Sequence, residues 1–164
     1  METLLPLAAE IGDRLKRRGE TLAVSESSAG GLISAALLAQ AGASAYYRGG
    51  GVIYTAAAFR GLLGLTRERL GDLRSSTEPY AALLAGTIRD RLRADWGICE
   101  TGAAGPTGNG YGDPAGHTCL AVASAEAVRT RVLRTGISDR PGNMVLFAEA
   151  GLTLFLQTLE DVGD

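Results

Sequence analysis

The sequence predicts an α/β domain in which helices are layered on both faces of a mixed β-sheet. Three observations predict it. Helical stripes alternate with short apolar segments as far as Arg93, three strand-like segments follow from Trp96, and Pro141 opens a last helical stripe. Strands separated by helices pair in parallel, whereas strands joined directly pair antiparallel, so both kinds of pairing belong to one sheet.

Leu4, Leu7, Ala8, Ile11 and Leu15 recur at three- and four-residue steps and mark a first helix, with Gly19 as its stop. "TLAVSE" then reads as a buried strand. Leu32, Ile33, Ala36 and Leu37 lie on one face of a second helix expected over Gly30–Ala41 and ended by Gly42. "GGVIYTA" (Gly50 to Ala56) reads as a second strand running into a short helix, "AAFRGLLGL". Thr77 before Glu78 and Pro79 supplies an N-cap for a third long helix, with Tyr80, Leu83, Leu84, Ile88 and Leu92 as its stripe. "WGICETG", "HTCLAVAS" and "TRVLRTGI" are strands, the first two separated by the glycine-rich "TGAAGPTGNGYGDPAG". The final helix spaces Val145, Ala148, Leu152, Phe155 and Leu159 for burial.

A chain of 164 residues is large enough to bury a real core, and no linker, repeat or low-complexity run divides it, so one domain over residues 1–164 is expected. The formal net charge of −2 argues against general nucleic-acid binding. The one basic cluster, "RLKRR" (Arg14–Arg18), falls at the end of the first helix, where cations complement the helix dipole. Cys99 and Cys119 have neither a CxxC nor a zinc spacing and read as buried thiols. Met1 is followed by Glu2 and an amphipathic pattern, and no segment approaches the ~18 apolar residues of a membrane span. A cytoplasmic protein without membrane attachment is therefore expected.

Three places carry possible chemistry. In "AVSESSAGG", Ser27, Ser28, Gly30 and Gly31 stand where a strand turns into a helix. Open amides and hydroxyls there can bind an anion, and the same residues can equally serve as an N-cap with glycines for tight packing. In "TGAAGPTGNG", Thr101 and Gly102 end a strand and begin a loop that is either a ligand wall or a surface connection. In "SDRPG", Arg140 can reach a phosphate or stand solvated.

In this order and spacing, these segments resemble the C-terminal domain of the competence/damage-inducible protein CinA and its relatives, the nicotinamide-nucleotide amidohydrolases. Ser25-Glu26-Ser27-Ser28-Ala29-Gly30-Gly31 is similar to the family's S-E-S-C-T-G-G junction, and Gly51 to Phe59 to its G-x-x-x-Y-S-N-E-A-K segment. Thr101 to Pro106 is similar to T-G-I-A-G-P, Pro114-Ala115-Gly116 to P-V-G, and Ser138-Asp139-Arg140 to G-D-R. The resemblance spans nearly the whole chain. It implies hydrolysis of the carboxamide of nicotinamide mononucleotide to nicotinic acid mononucleotide in pyridine-nucleotide salvage, with no metal or cofactor. It also implies Ser27 as nucleophile, and Ser28, Gly30, Gly31, Tyr54, Thr55, Thr101, Gly102 and Arg140 as substrate-binding residues. The partner is then a small nucleotide, not nucleic acid or membrane; a homo-oligomer is left open.

The departures from the family's pattern bear on chemistry. A serine hydroxyl is a weak nucleophile until a base takes its proton. The family's lysine falls at Phe59, its asparagine and glutamate at Ala56 and Ala57, its threonine at Ala29, and an arginine of its last helix at Met144. Lys16 is the only lysine, and Arg60 stays protonated and cannot replace it as a base. His117, the only histidine, is a conceivable substitute that reads more simply as structural. Two functions follow as expectations: an amidohydrolase with another base near Ser27, or a diverged member that binds a nucleotide or another phosphorylated ligand, its phosphate at the Gly30 helix start.

Overall fold

The computed structural model describes residues 1–163. Its strands are β1 (Leu22–Glu26), β2 (Tyr47–Val52), β3 (Trp96–Ala103), β4 (His117–Ala123) and β5 (Val128–Arg134). They form one sheet in the order β2-β1-β3-β4-β5. β1 pairs in parallel with β2 and β3, whereas β3–β4 and β4–β5 are antiparallel. The mixed sheet of the sequence reading is therefore present.

The helices are α1 (Leu4–Arg18), α2 (Leu32–Leu38), α3 (Ala56–Leu63), α4 (Arg67–Leu70), α5 (Glu78–Leu92) and α6 (Arg140–Asp161). Alternation of side chains along each strand divides the core in two. Leu22, Val24, Ile98, Leu120 and Val122 face α1, α2 and α6, where Ile11, Ile33, Phe147 and Phe155 are buried against them. The other face presents Ala23, Cys99, Cys119, Ala121 and Ala123 to α3 and α5. Small side chains let α5 approach closely. A Cβ on Gly97 would lie 2.0 Å from the Ala85 carbonyl oxygen, so the helix backbone occupies the space of that side chain.

Several expected boundaries shift, each for a tertiary reason. α2 begins at Leu32 instead of Gly30, because residues 27–31 are drawn into a turn that ends with Gly31 at φ 98°, a left-handed conformation. It ends at Leu38, and a short 3-10 turn over Ala43–Ala45 precedes β2. β2 starts at Tyr47 and stops at Val52, since its extent is fixed by backbone pairing with β1 and its glycine run carries no side-chain period. Tyr54 and Thr55 consequently lie beyond the strand, where Thr55 Oγ1 caps α3 by accepting from Ala58 N (3.2 Å). Thr77 precedes α5, but its hydroxyl donates to the Arg74 carbonyl (2.8 Å) instead of capping the helix.

α6 also corrects the expectation about apolar length. By length and composition it could cross a membrane, yet half of its most apolar stretch is buried within the fold, as a core helix requires. The basic cluster does end α1. Arg18 donates to the Gly163 carbonyl (2.7 Å) and Lys16 pairs with Asp13 (2.9 Å). Both cysteines are free and buried on the α5 face. Burial raises the Cys99 thiol well above its ordinary range, and Cys119 to about 11.

The close approach of α5 predicts a contrast between two glycines. Gly97→Ala should lower the stability by about 2 kcal/mol or more, because backbone must move. Gly86→Ala, on α5 with open space at its Cβ, should raise it by about 0.5–1 kcal/mol. Denaturant midpoints of the two variants check this; equal effects would refute the tight packing.

Candidate functional site

The turn between β1 and α2 is held by two buried carboxylates. Glu26 ends β1 and Glu100 lies on the neighbouring β3, one position beyond the Ser25–Cys99 pair of the register. Glu26 Oε2 accepts from the amides of Gly31 (3.0 Å) and Ile33 (3.0 Å), and its Oε1 from the amide (2.9 Å) and hydroxyl (2.5 Å) of Ser34. Glu100 Oε2 accepts from the amides of Ser27 (3.0 Å) and Ala29 (2.8 Å), and its Oε1 from Thr118 Oγ1 (2.8 Å). The amide of Gly30 donates to the Ser27 carbonyl (3.1 Å). This corrects the expectation of a helix start open to a phosphate: the protein's own carboxylates already occupy it, and a second anion would meet them.

Glu100 is fully buried, and burial raises its carboxyl from 4.5 to about 7 against the lowering effect of its three hydrogen bonds. The carboxylate of Glu26 adds to the rise.

With its amide fixed by Glu100, Ser27 stands half-buried at the wall of a cavity of about 370 Å3. Its hydroxyl makes no hydrogen bond among the described residues. The cavity lies at the carboxyl ends of the parallel strands, with Tyr54 and Thr55 following β2, and Thr101 and Gly102 near the end of β3. Phe59 and Tyr80 form an aromatic floor, their rings stacked with centroids 6.1 Å apart. Burial pushes the Tyr80 phenol up to about 12.

Of the residues singled out from sequence, Ser27, Tyr54, Thr55, Thr101 and Gly102 line this cavity, while Ser28, Gly30, Gly31 and Arg140 do not. Ser28 Oγ donates to the Gly102 carbonyl (2.7 Å), tying the turn to β3. Gly30 faces α6: a Cβ there would meet Met144 Cε at 2.7 Å. Arg140 donates to the Gly105 carbonyl (2.7 Å) and to Tyr54 Oη (3.1 Å), so it braces the tyrosine from outside the cavity. His117 is buried and does not line the cavity; its Nε2 sits on the Ser76 carbonyl (3.0 Å), and its Nδ1 has no partner among the described residues. The histidine opens β4 and ties that strand to the loop at Ser76.

Sequence reasoning missed other contributors. Ser76, at φ 59°, enters the wall with its amide donating to Thr101 Oγ1 (3.2 Å). Arg74 pairs with Asp113 (2.6 Å) and sits 5.5 Å from the Tyr111 ring, joining two loops at the mouth. The salt bridge holds Asp113 down to about 2. Buried Asn143 donates to the carbonyls of Ala104 (2.7 Å) and Ile137 (2.9 Å), anchoring the glycine-rich loop to α6. For Glu100 a signal existed: a lone acid inside the apolar segment "WGICE".

The family model for the CinA C-terminal domain matches residues 4–159. The chain belongs to the CinA C-terminal domain family. A CinA-like protein of Synechococcus sp. (strain CC9902) is 40% identical over 130 residues, covering 79% of this chain and 31% of that protein. One of Salinibacter ruber (strain DSM 13855 / M31) is 35% identical over 153 residues, covering 93% and 37%. The chain thus spans about a third of the length of these curated relatives. Among solved structures, competence damage-inducible protein A (ComA) from Klebsiella pneumoniae subsp. pneumoniae MGH 78578 superposes with a TM-score of 0.89 at 29% identity, over 96% of this chain and 97% of that one. The competence/damage inducible protein CihA from Agrobacterium tumefaciens gives 0.87 at 30% identity, over 96% of each chain.

The raised carboxyl of Glu100 makes stability depend on pH. The folded state holds its proton more tightly than the unfolded chain, so this stabilisation is complete below pH 4.5 and is lost as pH rises through about 7. Glu100→Gln mimics the protonated form, with its amide free to donate to Thr118 Oγ1. Relative to the parent it should gain on the order of 3 kcal/mol between pH 4.5 and pH 8. Chemical denaturation at the two pH values measures this, and an unchanged difference would show that Glu100 titrates normally.

Proposed function

We propose that the cavity at Ser27 binds a small nucleotide of the nicotinamide mononucleotide type, and that the chain hydrolyses its carboxamide slowly or not at all. One observation carries this: among the residues lining the cavity there is no lysine, histidine, aspartate or glutamate, and the position resembling the family's lysine is Phe59, stacked on Tyr80. The walls suit a planar heterocycle with polar substituents. Aromatic faces come from Tyr54, Phe59, Tyr80 and Tyr111, and hydrogen-bonding groups from Ser27, Thr101 and Asn109.

Deamidation by a serine requires its Oγ to attack the carboxamide carbon while a base removes the hydroxyl proton, after which ammonia leaves and water cleaves the acyl-enzyme. Ser27 is placed to approach a ligand, but the wall around it supplies no acceptor for that proton apart from neutral hydroxyl and amide oxygens. Binding is then retained while the chemical step loses its general base, a contribution commonly worth 10²–10⁴-fold.

Purified protein should release ammonia from nicotinamide mononucleotide far more slowly than about 1 per second, an ordinary enzymic rate. The same compound at millimolar concentration should raise the melting temperature, and Ser27→Trp, which fills the cavity, should remove that shift. Phe59→Lys alone should restore little activity, because Ala29, Ala56, Ala57 and Met144 also depart from the family pattern and such groups act as a unit. Turnover near 1 per second that Ser27→Ala abolishes would overturn the proposal and require a base outside the cavity wall.

A further inference from the structure

The cavity does not end at Ser27's surroundings. Its outer walls, Ala56, Phe59, Leu70, Leu73, Arg74 and Tyr111, also border a second lobe of about 440 Å3, so the two lobes adjoin across shared residues. The inner lobe is lined by hydroxyls and rings, with Arg74 as its one cation. The outer lobe adds Arg60 and Arg67, against the single acid Asp72.

These arginines are not equivalent. Arg74 is committed to Asp113, which accepts from both of its terminal nitrogens (2.6 and 3.2 Å). Arg60 and Arg67 are exposed and have no hydrogen-bond or ion-pair partner among the described residues. α3 accounts for the placement: Phe59 is buried toward the inner lobe, and the next residue, about 100° further round the helix, carries its guanidinium outward. Charge is therefore available for a ligand only in the outer lobe, because the amides at the start of α2 are already bonded to Glu26 and Glu100.

We propose that the outer lobe is a phosphoryl subsite, in which Arg60 and Arg67 bind the phosphate of a ligand whose heterocycle occupies the inner lobe beside Ser27 and Thr101. This rests on the inner lobe being a nucleotide site. Guanidinium forks match phosphate oxygens in geometry as well as charge, and the shared wall at Phe59 and Tyr111 leads a ligand from one lobe to the other.

Calorimetric titration of the whole chain with nicotinamide mononucleotide and with nicotinamide riboside separates the two ideas. The parent should bind the mononucleotide roughly 10- to 100-fold more tightly than the riboside, as two charge-assisted contacts imply. In Arg60→Gln/Arg67→Gln that gap should close while riboside affinity stays unchanged, and the salt dependence of mononucleotide binding should weaken with it. Both substituted side chains are exposed, so folding is retained. Equal affinity of the parent for the two compounds, or a gap that survives the double substitution, overturns the subsite and leaves the inner site standing. If neither compound binds, the inner-site proposal fails, and inorganic phosphate decides the subsite alone. Shifts of the Arg60 and Arg67 side-chain N–H resonances at millimolar phosphate uphold it, and their absence rejects it.

Discussion

Two carboxylates buried side by side, Glu26 and Glu100, fix the turn on which the site depends. An ionised carboxylate in a protein interior is strongly unfavourable unless hydrogen bonds replace its water. Here seven donors do so, six of them from the backbone and side chains of residues 27–34. The relation is mutual. Without the acids, the amides of the turn and of the first turn of α2 would be buried without acceptors. The arrangement sets the direction of Ser27 toward the cavity and closes the helix start to any outside anion.

The sheet around this turn is built asymmetrically. Large aliphatic and aromatic residues fill the side under α1, α2 and α6, and small ones line the side under α5. A helix that packs this closely leaves α3, α4 and the segment 71–77 to close over the carboxyl ends of the parallel strands. Those ends supply Ser27, Tyr54 and Thr101 to one cavity. Ligand sites in open α/β sheets occupy this same edge, because strand ends there diverge and leave a crevice between loops.

The chain has the scaffold of the CinA C-terminal domain, and its cavity pairs aromatic faces with hydroxyl groups. Phe59, with Ala56 beside it in the wall, offers a stacking surface near Ser27 and is itself stacked on Tyr80. Charge lies further out, on Arg60, Arg67 and Arg74. An oriented hydroxyl, aromatic faces and peripheral cations, with no carboxylate, imidazole or amine among the residues lining the inner cavity, are the features on which the proposed ligand-binding reading rests.

What the sequence determined by itself were the features written in local periodicity and punctuation. The stripes of α1, α5 and α6, Gly19 at the end of α1, Pro141 at the start of α6 and the succession of strands from Trp96 are set by burial patterns and backbone stereochemistry that neighbouring residues specify. Ser27, Tyr54 and Thr101 were legible as a group because each follows or ends a strand. Tertiary structure alone decided the rest. Nothing local says that Glu26 folds forward onto the amides of residues 31–34, that Glu100 reaches across from another strand to Ser27 and Ala29, or that Arg74 meets Asp113 at the mouth of the cavity. An open helix start and a closed one have the same sequence signature. Which of them forms depends on a carboxylate that the fold brings from 73 residues away, and on the desolvation that makes it bond there.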